Sequence, residues 1–154
     1  MTAHVRHRLP WLLFGLLLLP IVVQIVFVVL PGMGSFAILS GSMQPTIQQG
    51  DIVYTYDSGR YTEGDIVTFA QGNELITHRI VEKTPTGYRT KGDARMNRDS
   101  FVVERHQIRG ELLVSVPLYG YLIHPSFERS WALYSIFVGV LIVGIAGQRL
   151  LAID

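Results

Sequence analysis

Two long apolar runs, one near each end of the 154-residue chain, constrain its fold more than any other feature. The first covers residues 11–30, contains Gln24 as its only strongly polar member, and ends at Pro31-Gly32. About 20 consecutive apolar residues suffice to cross a bilayer as a helix. We therefore predict a transmembrane helix over residues 9–31, in which Pro20 marks a kink.

The flanks of this first run predict its orientation. Arg6 and Arg8 precede it, and positive charge favours the cytoplasmic side, so residues 1–8 are expected there and the central domain outside. A cleavable signal peptide is the alternative, since Ser35-Phe36-Ala37 has the small-x-small pattern of a cleavage site. The run exceeds the roughly 7–15 residues of a signal-peptide core, which favours an uncleaved anchor.

The second apolar run covers residues 131–147 and lies between charged residues. It is short for a span but within the tolerated range, and it predicts a second transmembrane helix over residues 129–149. The tail, residues 150–154, would return to the cytoplasm and make the chain a multi-pass protein of the cell membrane. A helix lying flat on the membrane is the alternative, but the run shows no polar face.

Composition excludes several classes of function. The 49% hydrophobic content is concentrated at the two ends, and a net charge of +1 gives no basic field for nucleic acid. With no cysteine, the chain can form no disulfide, thiolate nucleophile or cysteine-ligated zinc site. Scattered carboxylates around single histidines are a poor ligand set, so we expect neither a metal nor another cofactor.

Between the two runs, residues 32–128 change to short β-like segments separated by glycine-rich turns. We therefore predict a mainly β extracytoplasmic domain. Gly50-Asp51 and Gly64-Asp65 each precede Ile-Val; we interpret them as two similar turns that lead into buried strands, not as a duplicated domain. The predicted strands cover residues 52–56, 66–70, 75–81, 88–90 and 107–116, with a hairpin turn at 84–87.

A serine-rich bend follows the first run, with the sequence Ser40-Gly41-Ser42-Met43-Gln44-Pro45-Thr46. A serine held on a rigid bend beside a membrane is a candidate nucleophile, although Ser-Gly-Ser is more often a plain loop. A serine hydroxyl needs a neighbouring base, and the base must be oriented by a third group.

Histidine suits the role of the base because it titrates near neutral pH. His4 and His7 precede the first run, and His106 and His124 lie in polar or connecting segments. His78 differs from these four, because strand alternation places it on one face with Ile76 and Ile80. A hydrogen-bonded core histidine is the alternative interpretation of that position.

Two motifs carry a family resemblance. The serine-rich bend together with Gly50-Asp51 resembles the nucleophile box of type I signal peptidases, which are membrane-anchored serine proteases. His78-Arg79-Ile80-Val81 resembles the strand that carries the base in the archaeal and endoplasmic-reticulum type, where bacterial enzymes have a lysine. Lys83 is the only credible lysine alternative, and it lies an odd number of residues from His78.

The resemblance implies a role for each matching residue. Ser42 would be the nucleophile, with its own N–H and the Ser40 hydroxyl as oxyanion donors, and His78 the base. The segment from Thr90 to Ser100 resembles the family's aspartate box, which implies that Asp99 orients His78 and that Asp93 is a second supporting carboxylate. Ala94-Arg95 departs from that box, and both aspartates could instead be turn formers.

The resemblance also implies the signal-peptidase-like β fold with one transmembrane helix at each end. The expected function is removal of signal peptides at small-x-small sites, with the active site on the extracytoplasmic face near the bilayer surface. Expected partners are signal-peptide-bearing precursors, the lipid bilayer and accessory subunits or export machinery, but not nucleic acid. The alternatives are a self-cleaving repressor-type peptidase of the same fold and a non-enzymatic membrane-anchored β module with an assembly or chaperone role.

Overall fold

The computed structural model describes Gly15 and residues 18–123. Its main element is one six-stranded sheet in which every pair of neighbouring strands is antiparallel, in the order β1-β2-β6-β3-β4-β5. The prediction of a mainly β domain is therefore confirmed. The strands are β1 (Met33–Ala37), β2 (Ile52–Tyr56), β3 (Ile66–Gln71), β4 (Glu74–Thr84), β5 (Gly87–Lys91) and β6 (Ile108–Val116).

Three helical elements accompany the sheet in the part of the chain that the structure describes. Residues 18–29 are helical and are joined to β1 by a turn at residues 30–32, a 3-10 turn at Arg105–Gln107 precedes β6, and one helical turn at Gly120–Ile123 follows it. Among the described residues, none of the helices combines the length and the apolar content that a membrane crossing requires. The span predicted over residues 129–149 and part of the one over 9–31 lie outside the described residues.

The sheet is covered by buried side chains on both faces. Successive strand residues point to opposite faces, and in β3 Ile66 packs in one cluster while Val67 and Phe69 pack in another. Burying these side chains is the main force that holds the strands together. The first core cluster is Tyr61, Val67, Phe69, Ile80, Tyr88, Val103 and Ile108; the second is Ile38, Met43, Ile47, Val53 and Ile66.

The two Gly-Asp turns have the same local structure. In the first, the Asp51 carboxylate accepts the N–H of Gln48 at 2.9 Å, and in the second, the Asp65 carboxylate accepts the N–H of Thr62 at 2.7 Å. The glycine of each pair has a positive φ, 92° and 100°, where a side chain would be strained. Each turn then enters a buried strand, β2 or β3, which agrees with the interpretation made from the sequence.

β1 was not predicted from the sequence. Its residues, Met33 to Ala37, include none of the β-branched types that mark a strand. Pairing with β2 over five residues, from Met33↔Tyr56 to Ala37↔Ile52, makes this segment a strand. A neighbouring strand has therefore overridden weak local propensity.

Candidate active site

Ser42 lies in the connection between β1 and β2, and its neighbours hold it there. Met43 and Ile47 are fully buried in the second core cluster, and the Ile47 N–H donates to the Met43 carbonyl at 3.0 Å. The adjacent Ser42 is half-buried at the edge of that cluster. Hydrophobic burial of Met43 therefore fixes the backbone that carries the serine hydroxyl.

His78 lies on β4, opposite Val67 of β3, and is only 5% exposed. The Phe69 ring packs against the imidazole edge to face, with 6.4 Å between the ring centroids. Nε2 of His78 lies 3.2 Å from Oγ of Ser42. The structure thus brings together the predicted nucleophile and the predicted base, 36 residues apart in the chain.

Asp99 contacts the other ring nitrogen of His78. Its Oδ2 lies 2.7 Å from Nδ1 and also accepts the Thr90 hydroxyl at 2.7 Å. The Asp99 N–H in turn donates to the Thr90 carbonyl at 2.9 Å, so Thr90 binds both the main chain and the side chain of Asp99. A carboxylate at Nδ1 favours the tautomer in which Nε2 is free to accept a proton from a hydroxyl.

Thr90 was not singled out from the sequence. It is fully buried on β5, two residues after the buried Tyr88. The available signal was strand alternation, which places both residues on the inward face. A hydroxyl at such a position needs a hydrogen-bond partner, and a carboxylate is a strong acceptor.

Asp93 occupies a different place from Asp99. It forms two hydrogen bonds with the Arg79 guanidinium, at 2.9 and 2.7 Å, and accepts the Thr46 hydroxyl at 2.6 Å. The Arg79 hydrogen bonds are the main cause of a lowered Asp93 pKa, and the same bonds raise the pKa of Arg79. Asp93 therefore links β4 to the serine-rich bend without touching the imidazole.

The remaining predicted groups surround the Ser42 hydroxyl. Oγ of Ser40 lies 3.3 Å from Oγ of Ser42, and the Ser42 N–H has no acceptor among the described residues. The Ser42 carbonyl accepts the Ala94 N–H at 2.9 Å. Because this contact uses the main chain, the unusual Ala94-Arg95 pair preserves the link between the aspartate box and the nucleophile.

Gly92 allows this close approach. A Cβ added there would lie 2.6 Å from the Ser42 carbonyl oxygen and 3.0 Å from Nε2 of His78. Neither group could move away without disturbing the contact between the serine and the imidazole. Only glycine therefore fits between the aspartate box and these two residues.

A groove of about 850 Å³ leads to the site. Residues 35–40 form one wall and residues 73–78 the other, with Ser42 and His78 along its lining. In a flat sheet, β1 and β4 would lie about 19 Å apart, because three strands separate them. Both border this one groove, so the sheet curls around it.

The other candidate groups lie elsewhere. Lys83 is exposed, and His106 is an exposed residue paired with Glu104 at 3.3 Å. His4, His7 and His124 fall outside the described residues. Within the described part of the chain, no three histidine or acidic side chains converge in a way that could hold a metal ion.

The geometry forms a line of three groups: hydroxyl, imidazole and carboxylate. In such a line the imidazole can take the hydroxyl proton while the carboxylate stabilises the imidazolium. The arrangement suits nucleophilic acyl transfer at the end of a groove that an extended chain could occupy.

Comparison with known proteins points to one family. The family model described as "Signal peptidase, peptidase S26" matches residues 9–94, a range that contains Ser42, His78 and Asp93 but not Asp99. A signal peptidase complex catalytic subunit sec11 from Pyrenophora tritici-repentis is 31% identical over 128 residues, covering 73% of both chains. The equivalent proteins of Leptosphaeria maculans and Sclerotinia sclerotiorum are 30% identical over 128 residues, covering 73% of this chain and 73% and 74% of their own.

Proposed function

This chain belongs to the signal peptidase family, peptidase S26, of the endoplasmic-reticulum-like type, and on that premise we propose that it cleaves signal peptides with Ser42, His78 and Asp99. Membership of this family indicates the activity, which is the proteolytic removal of signal peptides from exported proteins. The single observation that carries the mechanism is the 3.2 Å contact between Ser42 Oγ and His78 Nε2.

In the proposed first half-reaction, Ser42 Oγ attacks the scissile carbonyl carbon while its proton moves to Nε2 of His78. The negative oxygen of the tetrahedral intermediate is stabilised by the Ser42 N–H and the Ser40 hydroxyl. The carbon–nitrogen bond then breaks, and the imidazolium gives its proton to the departing amine. Asp99 remains ionised throughout and stabilises the imidazolium.

The second half-reaction returns the enzyme to its starting state. Water adds to the acyl-enzyme as His78 takes one of its protons, and the Ser42–acyl bond breaks. The proton then goes back to Ser42 Oγ, and the signal peptide leaves with a new carboxylate.

The groove supports an extended peptide as the substrate. Its wall residues Phe36, Ile38 and Ile76 are apolar, and β1 lies at the edge of the sheet, where its main-chain groups are available for another strand. We propose that the residues before the cleaved bond bind along this wall, with small side chains next to Ser42.

We further propose that the chain is anchored in the cell membrane by residues 9–31 and 129–149, with residues 32–128 on the extracytoplasmic side. The described part of the first segment supports this, because Val28 and Val29 are 66% and 70% exposed and neighbouring apolar side chains are exposed as well.

The chain has no cysteine, so single cysteines introduced at Ser58 and Ala152 can be tested with a membrane-impermeant thiol reagent. We expect labelling of intact cells only at Ser58; labelling at Ala152 would contradict the topology.

The named relatives are catalytic subunits of a signal peptidase complex. We propose that this chain also works with accessory subunits. Mild-detergent extraction followed by cross-linking would test this, and a chain that migrates alone and cleaves at its full rate would argue against it.

Processing of a labelled precursor tests the proposed enzyme directly. The full chain and its Ser42→Ala variant are placed in lipid vesicles with the precursor, and Ser58→Ala serves as the control because Ser58 is an exposed serine that contacts only its own loop. We expect Ser58→Ala to cleave like the wild type and Ser42→Ala to lose cleavage. Equal processing by all three chains would overturn the assignment of Ser42, and no processing by the wild type would favour a non-enzymatic β module.

A further inference from the structure

The helical segment 18–29 contacts the sheet domain through one narrow face. Val23, Gln24 and Phe27 are half-buried, whereas most of the apolar side chains around the rest of the helix are exposed. The spacing of 23, 24 and 27 is that of neighbours on one helix face. The only strongly polar side chain of the apolar run therefore lies at the contact with the domain.

Gln24 uses both ends of its amide in this contact. Nε2 donates to Oγ of Ser35 at 3.0 Å, while Oε1 accepts the Ser35 hydroxyl at 3.2 Å and the Tyr54 hydroxyl at 2.9 Å. A polar group that leaves water is costly unless it is hydrogen-bonded. These three contacts meet that requirement and make the docking specific to one rotation of the helix.

Aromatic packing supports the same contact. The rings of Phe27 and Tyr54 pack with 4.5 Å between their centroids, and the Tyr119 hydroxyl donates to the Pro20 carbonyl at 3.4 Å. Burial, and to a smaller degree Tyr119, raises the Tyr54 pKa above its ordinary value of 10.0. Tyr54 thus keeps its proton at ordinary pH and remains the donor to Gln24.

The contact ends at the substrate groove. Ser35 belongs to β1 and forms part of the groove wall that continues to Ser42. If the helix rotated or shifted and the Gln24 contacts broke, the position of that wall relative to the helix would no longer be fixed. One residue of extended chain advances about 3.3 Å, so a displacement of a few Å changes which peptide bond lies at the serine.

We propose that Gln24 is a positioning residue that fixes the groove relative to the helix 18–29 and so determines which bond of a membrane-held precursor reaches Ser42. The inference rests on the proposed function. It adds a determinant of the cleavage site that lies outside the catalytic groups. A short peptide free in solution does not share a bilayer with the helix, so its cleavage does not depend on the position of the groove relative to the helix.

The experiment compares two substrates for the full chain in lipid vesicles. One is a short soluble peptide that contains the cleavage site, and the other is the membrane-inserted precursor with zero, one or two residues added between its apolar segment and that site. The variants are Gln24→Leu, which removes the amide, and Tyr54→Phe, which removes one donor. Val28→Leu is the control, because Val28 is an exposed apolar residue of the same helix.

We expect Gln24→Leu to cleave the soluble peptide within about twofold of the wild type, since the catalytic groups are untouched. With the precursor, cleavage at the authentic bond should fall about tenfold, the loss expected when hydrogen bonds worth about 1.4 kcal/mol together are removed. Mass spectrometry should find products cut at neighbouring bonds. The number of added residues that gives the fastest cleavage of the precursor should also change. Tyr54→Phe should show a smaller change of the same kind, and Val28→Leu none.

Unchanged products and spacing optimum in Gln24→Leu would overturn the inference. Equal losses on both substrates in both Gln24→Leu and Tyr54→Phe would also overturn it, because they would indicate general destabilisation. Failure of the wild type on both substrates would instead contradict the proposed function itself, which distinguishes the two failures.

Discussion

The Asp99 carboxylate lies 2.7 Å from Nδ1 of His78, whereas Asp93, the other aspartate of the same box, is hydrogen-bonded to Arg79. The family resemblance assigned the contact with the imidazole to Asp99, but the residues alone did not distinguish the two aspartates, because both lie among turn-forming residues. The structure separates them: one contacts the imidazole and the other holds the backbone segments that surround it. Replacing Asp99 should therefore mainly impair catalysis, whereas replacing Asp93 should mainly lower the stability of the fold.

Replacing Asp99 by asparagine should lower kcat strongly while leaving KM nearly unchanged. The amide can no longer favour the productive tautomer or stabilise the imidazolium, and a change of this kind in a Ser-His-Asp triad costs about 10⁴ in kcat. Steady-state kinetics on a soluble peptide measures the effect. Asp93→Asn is the matched comparison, and a larger loss of kcat in that variant than in Asp99→Asn would contradict the assigned roles.

Thr90→Val should lower kcat about tenfold, because it removes the hydroxyl that donates to Asp99 at 2.7 Å while keeping the shape of the side chain. Thr90→Ser keeps the donor and should retain most of the activity. The same peptide assay compares the two variants. If Thr90→Ser lost as much activity as Thr90→Val, packing of the methyl group would be responsible instead of the hydrogen bond.

Asp93→Asn should remove an acid-sensitive part of the stability. The Asp93 pKa lies below its ordinary value of 3.8 in the folded chain, mainly because of the Arg79 hydrogen bonds. The ionised carboxylate therefore stabilises the fold above pH 3.8, and this contribution is lost as the pH falls through the lower folded pKa. At pH 7 we expect the variant to lose about 1–3 kcal/mol in its free energy of unfolding.

Thermal unfolding at a series of pH values tests this prediction. The curves of wild type and Asp93→Asn should differ most near neutral pH and converge below pH 3.8. A constant difference across the whole range would show that the carboxylate charge is not responsible.

Gly92→Ala should impair catalysis more than Gly41→Ala. The added methyl at Gly92 would meet the Ser42 carbonyl at 2.6 Å, whereas at Gly41 the nearest atoms belong to the exposed Gln44 side chain, at 3.3 Å or more, which can move. Neither glycine has a positive φ, so steric contact alone separates the two variants. Equal kcat values in the peptide assay would contradict the close approach at Gly92.

The sequence predicted most of the sheet because its strands carry strong local signals. β2 and β3 are rich in β-branched or aromatic residues and follow turns, and the predicted 84–87 turn joins β4 to β5, with Thr84 paired to Gly87. β1 could not be found in this way, because its residues form a strand only through pairing with β2. The curl that brings β1 and β4 to one groove is a property of the whole sheet, and no local pattern encodes it.

Part of the site could be predicted from the sequence for a similar reason, namely strong local signals. Ser42 and His78 stood out because of motifs, and strand alternation correctly placed the imidazole on an inward face. Thr90 and Thr46 did not stand out, because a threonine in a strand or a bend is common and its importance depends on which carboxylate the fold places beside it. The contact of Gln24 with Ser35 and Tyr54 could not be predicted from the sequence either, although Gln24 was recognised as an isolated polar residue in an apolar run.

The most direct test of the Ser42–His78 pair is a double-mutant cycle on the two residues, in which the measured quantity is the rate of cleavage of a soluble peptide. If the hydroxyl and the imidazole act as one unit, Ser42→Ala, His78→Ala and the double variant should have nearly the same residual kcat, because removing either group already abolishes the shared step. Losses that multiply, so that the double variant is much slower than either single one, would show that the two side chains act independently and would contradict proton transfer from Ser42 to His78.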